Sequence, residues 1–194
     1  MLPAIFEFSA TTLSVFFCAI AIKLADDYLD RDLDTLTGRK NWAHFLENGT
    51  MFYAMLMLII ASGLNPLISM PLFLSSYIIG MFNDLKQVFP SKLSGWQESL
   101  LILIIGIIIF KWEHMLFSLL FIIAVQLIDD CIDYKIDTMA GHRNFAHKFG
   151  IIESLLIAGL AILSAAWLNE RIFAPVLCGT ILFYLGLFYK EATR

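Results

Sequence analysis

Eight aspartates stand in two matching ladders. Asp26, Asp27, Asp30 and Asp34 recur as Asp129, Asp130, Asp133 and Asp137 under a single offset of 103 residues. Thr35, Gly38, Asn41, Ala43 and His44 recur as Thr138, Gly141, Asn144, Ala146 and His147, giving nine identities over nineteen ungapped positions. Carboxylates are costly in a hydrophobic protein unless something cationic meets them. On a helix, steps of four place Asp26, Asp30 and Asp34 on one face, with Asp27 beside Asp30. Asp129 and Asp130, Asp133 and Asp137 follow the same pattern. Two such helix ends brought together predict a cage of hard oxygen donors. That donor set suits Mg²⁺, which completes its shell with water and substrate phosphates. No His/Cys spacing argues for zinc. His44 and His147 recur in register, and interfacial capping or packing is the expected role for both. Asp32 has Lys135 as its counterpart and is expected to face solvent. Gly38 and Gly141 are expected to turn the chain after each acidic helix end.

Carboxylates alone repel a phosphate. Divalent cations held between them invert the local potential, and Arg31, Arg39, Lys40, Lys86 and Arg143 stand in the same loops to take outer phosphate oxygens. The expectation is a diphosphate clamp at a membrane surface. Its matching substrate has a diphosphate head and a hydrocarbon tail, as a prenyl diphosphate does. Mg²⁺ would stabilise the departing diphosphate. Aromatic faces among the 27 Phe, Trp and Tyr residues could shield an allylic cation.

The elements that must hold these groups are membrane spans. The 194 residues are 59% hydrophobic and 15% charged, with mean hydropathy +0.78, whereas a soluble domain is about a quarter charged. Apolar runs such as Leu100–Phe110 and Met115–Ile128 have the composition of bilayer segments. Seven hydrophobic segments are predicted, at 3–24, 50–64, 67–83, 97–111, 114–129, 149–168 and 172–189. Pro66 and Pro71, then Lys111–Glu113, then Asn169–Arg171, are the expected breaks. The fold class expected is all-α: a polytopic bundle forming one membrane domain, with pseudo-repeated halves of about 1–95 and 96–194, each carrying an Asp-rich motif. No cleaved signal is expected, because Met1–Ala10 has no basic residue and its one charge is acidic, Glu7. Cys18, Cys131 and Cys178 are isolated and read as small membrane-core residues.

Sidedness follows from counting. Four predicted spans separate the motifs, so both open on one face. Eleven of the thirteen Lys and Arg residues then fall on that face, leaving Lys111 and Arg171 on the other. By the positive-inside rule the motif face is cytoplasmic, most simply at the plasma membrane.

DDYLDRDLD, Asp26–Asp34, resembles the first aspartate-rich motif of UbiA-type intramembrane prenyltransferases, N-D-x-x-D-x-x-x-D. Asp130–Gly150 resembles the second, D-x-x-D-x-x-x-D, followed by Gly141, Ala146 and Phe149-Gly150. A weaker likeness covers Phe82–Lys86. The resemblance implies two four-helix bundles with the motifs facing each other across a cavity. It implies Asp26, Asp30, Asp133 and Asp137 as the main Mg²⁺ ligands, with Asp27, Asp34 and Asp130 close behind. It implies Arg31, Arg39 and Lys86 as diphosphate contacts. The implied reaction moves a prenyl group to a lipophilic, usually aromatic acceptor with loss of diphosphate.

The chain departs from that pattern in three ways. Seven predicted spans replace the usual nine, which leaves the cavity open or closed by a second copy in a homo-oligomer. Asp26 stands where asparagine is usual. The Arg-Pro that often follows the first motif is absent, and Phe82 lacks a tyrosine hydroxyl. Expected partners are the prenyl diphosphate, the acceptor and membrane lipid, with no nucleic acid. Two alternatives compete: a non-catalytic membrane protein binding a divalent cation or isoprenoid, and another lipid-phosphate transferase such as a CDP-alcohol phosphotransferase. The latter's D-G-x-x-A-R element is absent.

Overall fold

The computed structural model describes residues 2–37, 41–81, 85–134, 138 and 144–192. Gly38, Arg39, Lys40, Phe82, Lys135, Asp137, Gly141 and Arg143 lie outside that set. The described residues are helical throughout, apart from loops and one isolated bridge between Val88 and Ser94. The helices are α1 (Leu2–Leu29), α2 (Arg31–Thr37), α3 (Trp42–Leu46), α4 (Thr50–Leu64), α5 (Pro66–Gly80), α6 (Gly95–Phe110), α7 (Trp112–Ile132), α8 (Phe145–Phe149), α9 (Ile151–Leu168) and α10 (Glu170–Ala192).

Five stretches are long and apolar enough to cross a bilayer: Ala4–Leu29, Trp42–Leu64, Trp112–Ile132, Ile151–Leu168 and Glu170–Phe188. The protein is therefore an integral membrane protein in character. Helices α5 and α6 are apolar but have 15 and 16 residues. At 1.5 Å per residue α6 is about 24 Å long, shorter than the roughly 30 Å hydrocarbon core. The breaks are also sharper than the composition suggests. Asn65 alone, in extended backbone, separates α4 from α5. Pro66 opens α5 and Pro71 lies inside it. Lys111 alone separates α6 from α7, with φ 70° and ψ 154°, and Asn169 alone separates α9 from α10.

Burial is inverted relative to a water-soluble protein. The large exposed residues include Leu160, Leu163 and Trp167 on α9, and Ile108 and Ile109 on α6, whereas Ala, Ser and Thr dominate the buried set. In lipid, apolar side chains gain nothing by hiding, and small residues let helix backbones approach.

The chain forms two compact units. One comprises the residues up to Phe73 together with those from Arg171 onward. Here α1 packs along α4 through small and polar side chains. Ser14 Oγ donates to the Ala61 carbonyl at 2.7 Å, Asn65 Nδ2 to Thr11 Oγ1 at 2.9 Å, and Cys18 Sγ to the Ser69 carbonyl at 3.3 Å. Gly179 of α10 lies so close to α1 that a β-carbon there would sit 2.6 Å from the Thr12 carbonyl oxygen.

The other unit runs from Leu74 to Glu170. Its core is the seam between α7 and α9, with Ala124 and Leu127 against Ala158 and Ala161. Gly106 of α6 admits Met115 of α7. The Tyr77 hydroxyl donates to Glu98 at 2.7 Å, tying the end of α5 to the first turn of α6.

Candidate functional site

Each acidic ladder begins inside the last turn of a membrane-length helix. Asp26 and Asp27 belong to α1, and Asp129 and Asp130 belong to α7. Both helices bend at the next aspartate without losing the ladder of main-chain bonds. Asp30 N–H donates to the Asp26 carbonyl at 3.0 Å, and Asp133 N–H to the Asp129 carbonyl at 2.8 Å. In the first ladder Asp34 N–H continues to the Asp30 carbonyl at 2.9 Å.

The ladders then split into two kinds of carboxylate. Asp27 is 3% exposed and Asp130 7%, and each is tied to the start of a five-residue helix. The Asp27 carboxylate accepts the Trp42 main-chain N–H at 2.9 Å, and Asp130 accepts that of Phe145 at 2.7 Å. These are the first N–H groups of α3 and α8, which have no partner inside their own helix. An anion at a helix N-terminus is also favoured by the aligned peptide dipoles. The second oxygen is held too. Lys23 Nζ lies 2.9 Å from Asp27 Oδ1, and Gln126 Nε2 donates to Asp130 Oδ1 at 2.9 Å. Lys23 and Gln126 occupy equivalent positions in the two ladders.

Asn41 and Asn144 are the N-caps of α3 and α8. Their Oδ1 atoms accept the main-chain N–H of His44 at 3.1 Å and His147 at 2.9 Å. Their Nδ2 groups donate back to the carbonyls of Asp27 and Asp130, each at 3.0 Å. Asn41 Nδ2 also reaches Asp34 Oδ2 at 2.6 Å, and Asp34 is buried. The histidine rings complete the clasp. Their Nδ1 atoms lie 2.6 Å from the asparagine Oδ1. Their Nε2 atoms lie 2.8 Å from Thr35 Oγ1 and 2.5 Å from Thr138 Oγ1. Thr35 and Thr138 in turn donate to the carbonyls of Arg31 and Tyr134, at 2.7 and 2.6 Å. Both histidines thus sit in capping clasps, and the Tyr134 ring stacks on His147 at 4.3 Å.

The remaining described aspartates point elsewhere. Asp26, Asp30 and Asp32 are exposed, and Asp129 and Asp133 are half-buried. Asp26, Asp30 and Asp34 therefore do not share one environment, because Asp34 is buried against Asn41 while the other two are exposed. Arg31 is half-buried beside the first ladder, and Lys86 is exposed in the segment before α6. Asp137 and Arg39 lie outside the described residues.

Among the described residues no three His, Cys, Asp or Glu side chains converge as a metal site. Asp26 and Asp30, and separately Asp129 and Asp133, offer one carboxylate per helical turn. That donor set fits Mg²⁺, which commonly takes one or two carboxylates from a protein and the rest of its shell from water and phosphate.

Sequence reasoning did not assign Asn41, Asn144, Lys23 or Gln126. The two asparagines were detectable: each recurs three residues before a recurring histidine, the spacing of an N-cap and its N3 residue. Lys23 and Gln126 carried no signal, since they differ between the repeats and gain meaning from the shared carboxylate position. No protein-family model matches the chain, and neither curated proteins nor solved structures give a significant match.

Proposed function

We propose that the protein is a Mg²⁺-dependent intramembrane prenyltransferase, akin to the UbiA-type enzymes, with both acidic ladders on the cytoplasmic side. One observation carries the proposal. The same clasp is built twice, and in each copy it buries one aspartate while leaving the aspartates one position before and three positions after it outside the clasp. A purely structural cap needs only the buried carboxylate. The recurrence of these further carboxylates at the ends of two membrane-length helices is what supports a cation site.

In this reading Asp26, Asp30, Asp133 and Asp137 hold Mg²⁺, and Arg31, Arg39 and Lys86 meet diphosphate oxygens. Bound Mg²⁺ would neutralise the diphosphate and stabilise it as a leaving group. The allylic C–O bond breaks, and its electron pair leaves with diphosphate. The prenyl carbon bonds to a carbon of the lipophilic acceptor ring, which then loses a proton. Asp27, Asp34 and Asp130 serve the site by fixing the loops that carry these groups.

The two ladders share a face without all seven segments having to cross. Helices α5 and α6 are consecutive and of similar length. Whether both cross or neither does, the number of crossings between the ladders stays even. If both cross, eleven of the thirteen Lys and Arg residues lie with the ladders, as the positive-inside rule requires of a cytoplasmic face; the role given to Lys86 needs both crossings, since otherwise Lys86 and Lys92 fall on the opposite face.

The test is turnover by purified protein in detergent with Mg²⁺, labelled prenyl diphosphates and pooled aromatic and quinone-precursor acceptors. Pyrophosphate release and labelled lipid product should both appear, and both should fall at least 100-fold in Asp30→Ala and Asp133→Ala. Folded protein that neither binds nor turns over any prenyl diphosphate would remove the reading.

A further inference from the structure

Helix α6 is bracketed by the same two residue types at both ends. Lys92 and Trp96 stand at its start, Lys111 and Trp112 at its finish. All four are exposed, Trp96 by 53% and Trp112 by 55%. Both lysines hold left-handed backbone, φ 66° for Lys92 and φ 70° for Lys111, a region that favours glycine. Neither forms an ion pair among the described residues. Lysine and tryptophan share one habitat, the membrane–water interface. Tryptophan sits there with its ring partly in hydrocarbon, and lysine extends its ammonium to the head groups.

Local structure fixes each collar. Before α6 the chain makes a tight hairpin, in which the Lys92 N–H donates to the Phe89 carbonyl at 2.8 Å and the Phe89 N–H to the Leu93 carbonyl at 3.0 Å. The hairpin is tied to α6 by the Trp96 N–H, which donates to the Leu85 carbonyl at 3.2 Å, and by the Ser91 hydroxyl, which donates to Glu98. After α6, Lys111 is the single residue before α7. Between the collars Leu101, Ile104, Ile105 and Ile108 are exposed. Their spacing of three, four and seven residues places them on one face, while Gly106 is buried against Met115 on the other.

The distance between the collars sets a membrane thickness. The 16 residues of α6 rise about 24 Å. Its neighbours in the same unit agree. From Trp112 to Asp129, the first aspartate of the ladder, α7 rises about 26 Å. The 18 residues of α9 rise about 27 Å, and Trp167 at its last turn is 88% exposed. All three fall short of the roughly 30 Å core of an ordinary bilayer, and tilt would shorten them further.

We infer that α6 crosses the membrane and docks to a thin bilayer, its exposed stripe against short-chain phospholipid and its two lysines on phosphates of opposite leaflets. Scaled from the sixteen to eighteen carbons of a 30 Å core, the matching chain has about 14 carbons. The inference does not rest on the transferase reading, and it puts Lys86 and Lys92 on the face that reading requires.

The test places intact protein in phosphatidylcholine bilayers with chains from about 12 to about 22 carbons. Quenching of tryptophan by brominated lipid, with unbrominated lipids competing, reads the relative affinity for each chain length. The fourteen-carbon lipid should compete at least twofold better than the eighteen-carbon one. Inserting four leucines between Leu100 and Leu101 lengthens α6 by about 6 Å and should move the preference to the longer chain. Should that variant not fold, Lys92→Cys and Lys111→Cys, each compared with the parent protein, are labelled in sealed vesicles with a membrane-impermeant maleimide. The two positions should react from opposite sides. Equal affinity for all chain lengths, a preference for eighteen carbons or more in the parent protein, a folded insertion variant that keeps the short-chain preference, or labelling of both cysteines from one side overturns the inference.

Discussion

The Asp130 carboxylate accepts the main-chain N–H of Phe145 at 2.7 Å. This joins the end of the long helix α7 to the start of the short helix α8, fifteen residues away. Asp27 and Trp42 make the same bond in the first ladder, at 2.9 Å. The second aspartate of each motif is thus a clamp, while the first and third are exposed in the first ladder and half-buried in the second. Function and stability should separate along that line.

Asp130→Ala leaves the Phe145 N–H without its charged acceptor and should cost about 1.5–3 kcal/mol, the usual range for a hydrogen bond to a charged group. Asp26→Ala changes an exposed side chain and should stay within about 0.5 kcal/mol of the parent while removing Mg²⁺-dependent activity. Chemical unfolding in micelles, followed by tryptophan fluorescence, reads the first effect, and pyrophosphate release reads the second. Equal destabilisation by both substitutions would show that the two aspartates are not divided in this way.

The repeat and its acidic chemistry were legible in the sequence because Asp, Asn, Thr and His recur at fixed offsets, and recurrence survives without any structural knowledge. The division of labour within it was not legible. Asp26 and Asp27 are adjacent and chemically identical, so only the position of the α3 N-terminus decides which one is buried. Helical class and apolar character were readable from composition. Span number was less so, because Pro71 reads as a break yet sits inside α5, while Asn65 and Lys111 each end a helix as single residues. The open apolar cavity lined by α5, α7, α8 and α9 was invisible in advance. Its lining, Gln126 apart, is Ile, Leu and Phe spread over four helices, types that also make up much of the exposed apolar surface.

Asn41→Asp offers a test in which the ordinary rule should fail. Aspartate is as good an N-cap as asparagine, so the exchange would normally be neutral. Here the amide nitrogen sits 2.6 Å from Asp34 Oδ2. A carboxylate in its place sets two like charges in contact and removes a donor from a buried acceptor, for an expected loss of about 1–3 kcal/mol. Adding Asp34→Asn should restore most of it, because the new amide can donate to the new carboxylate. A double variant no more stable than Asn41→Asp alone would mean that the contact is not what holds the loop.

Lys111 and Gly150 hold nearly the same backbone conformation, φ 70° and ψ 154° for one, φ 100° and ψ 153° for the other. This region is close to glycine-only, and a side chain there is strained by about 1–3 kcal/mol. Lys111→Gly should therefore stabilise the protein by roughly 1 kcal/mol, part of the relief being offset by the greater freedom of glycine in the unfolded chain. Gly150→Ala should destabilise by about 1–3 kcal/mol, since its β-carbon would also collide with the Glu153 carboxylate. Unfolding midpoints that move in the same direction for the two substitutions would contradict this pairing.

Lys23 and Gln126 solve one problem in two ways, and each repeat predicts a substitution in the other. Lys23 approaches Asp27 at 2.9 Å and Asp26 at 3.9 Å. Gln126, at the equivalent position, satisfies Asp130 with a neutral amide at 2.9 Å. Lys23→Gln should therefore keep the Asp27 clamp and leave stability within about 0.5 kcal/mol, whereas Lys23→Ala leaves a buried carboxylate oxygen without that partner and should cost about 1–3 kcal/mol. The functional consequence has the opposite sign. Removing the ammonium beside Asp26 takes away a positive charge that competes with a divalent cation, so Lys23→Gln should tighten Mg²⁺ binding several-fold, measured by calorimetry on the intact protein. Weaker Mg²⁺ binding in Lys23→Gln, with the fold preserved, would show that Asp26 is not a cation ligand and that the outward face of the first ladder serves some other purpose.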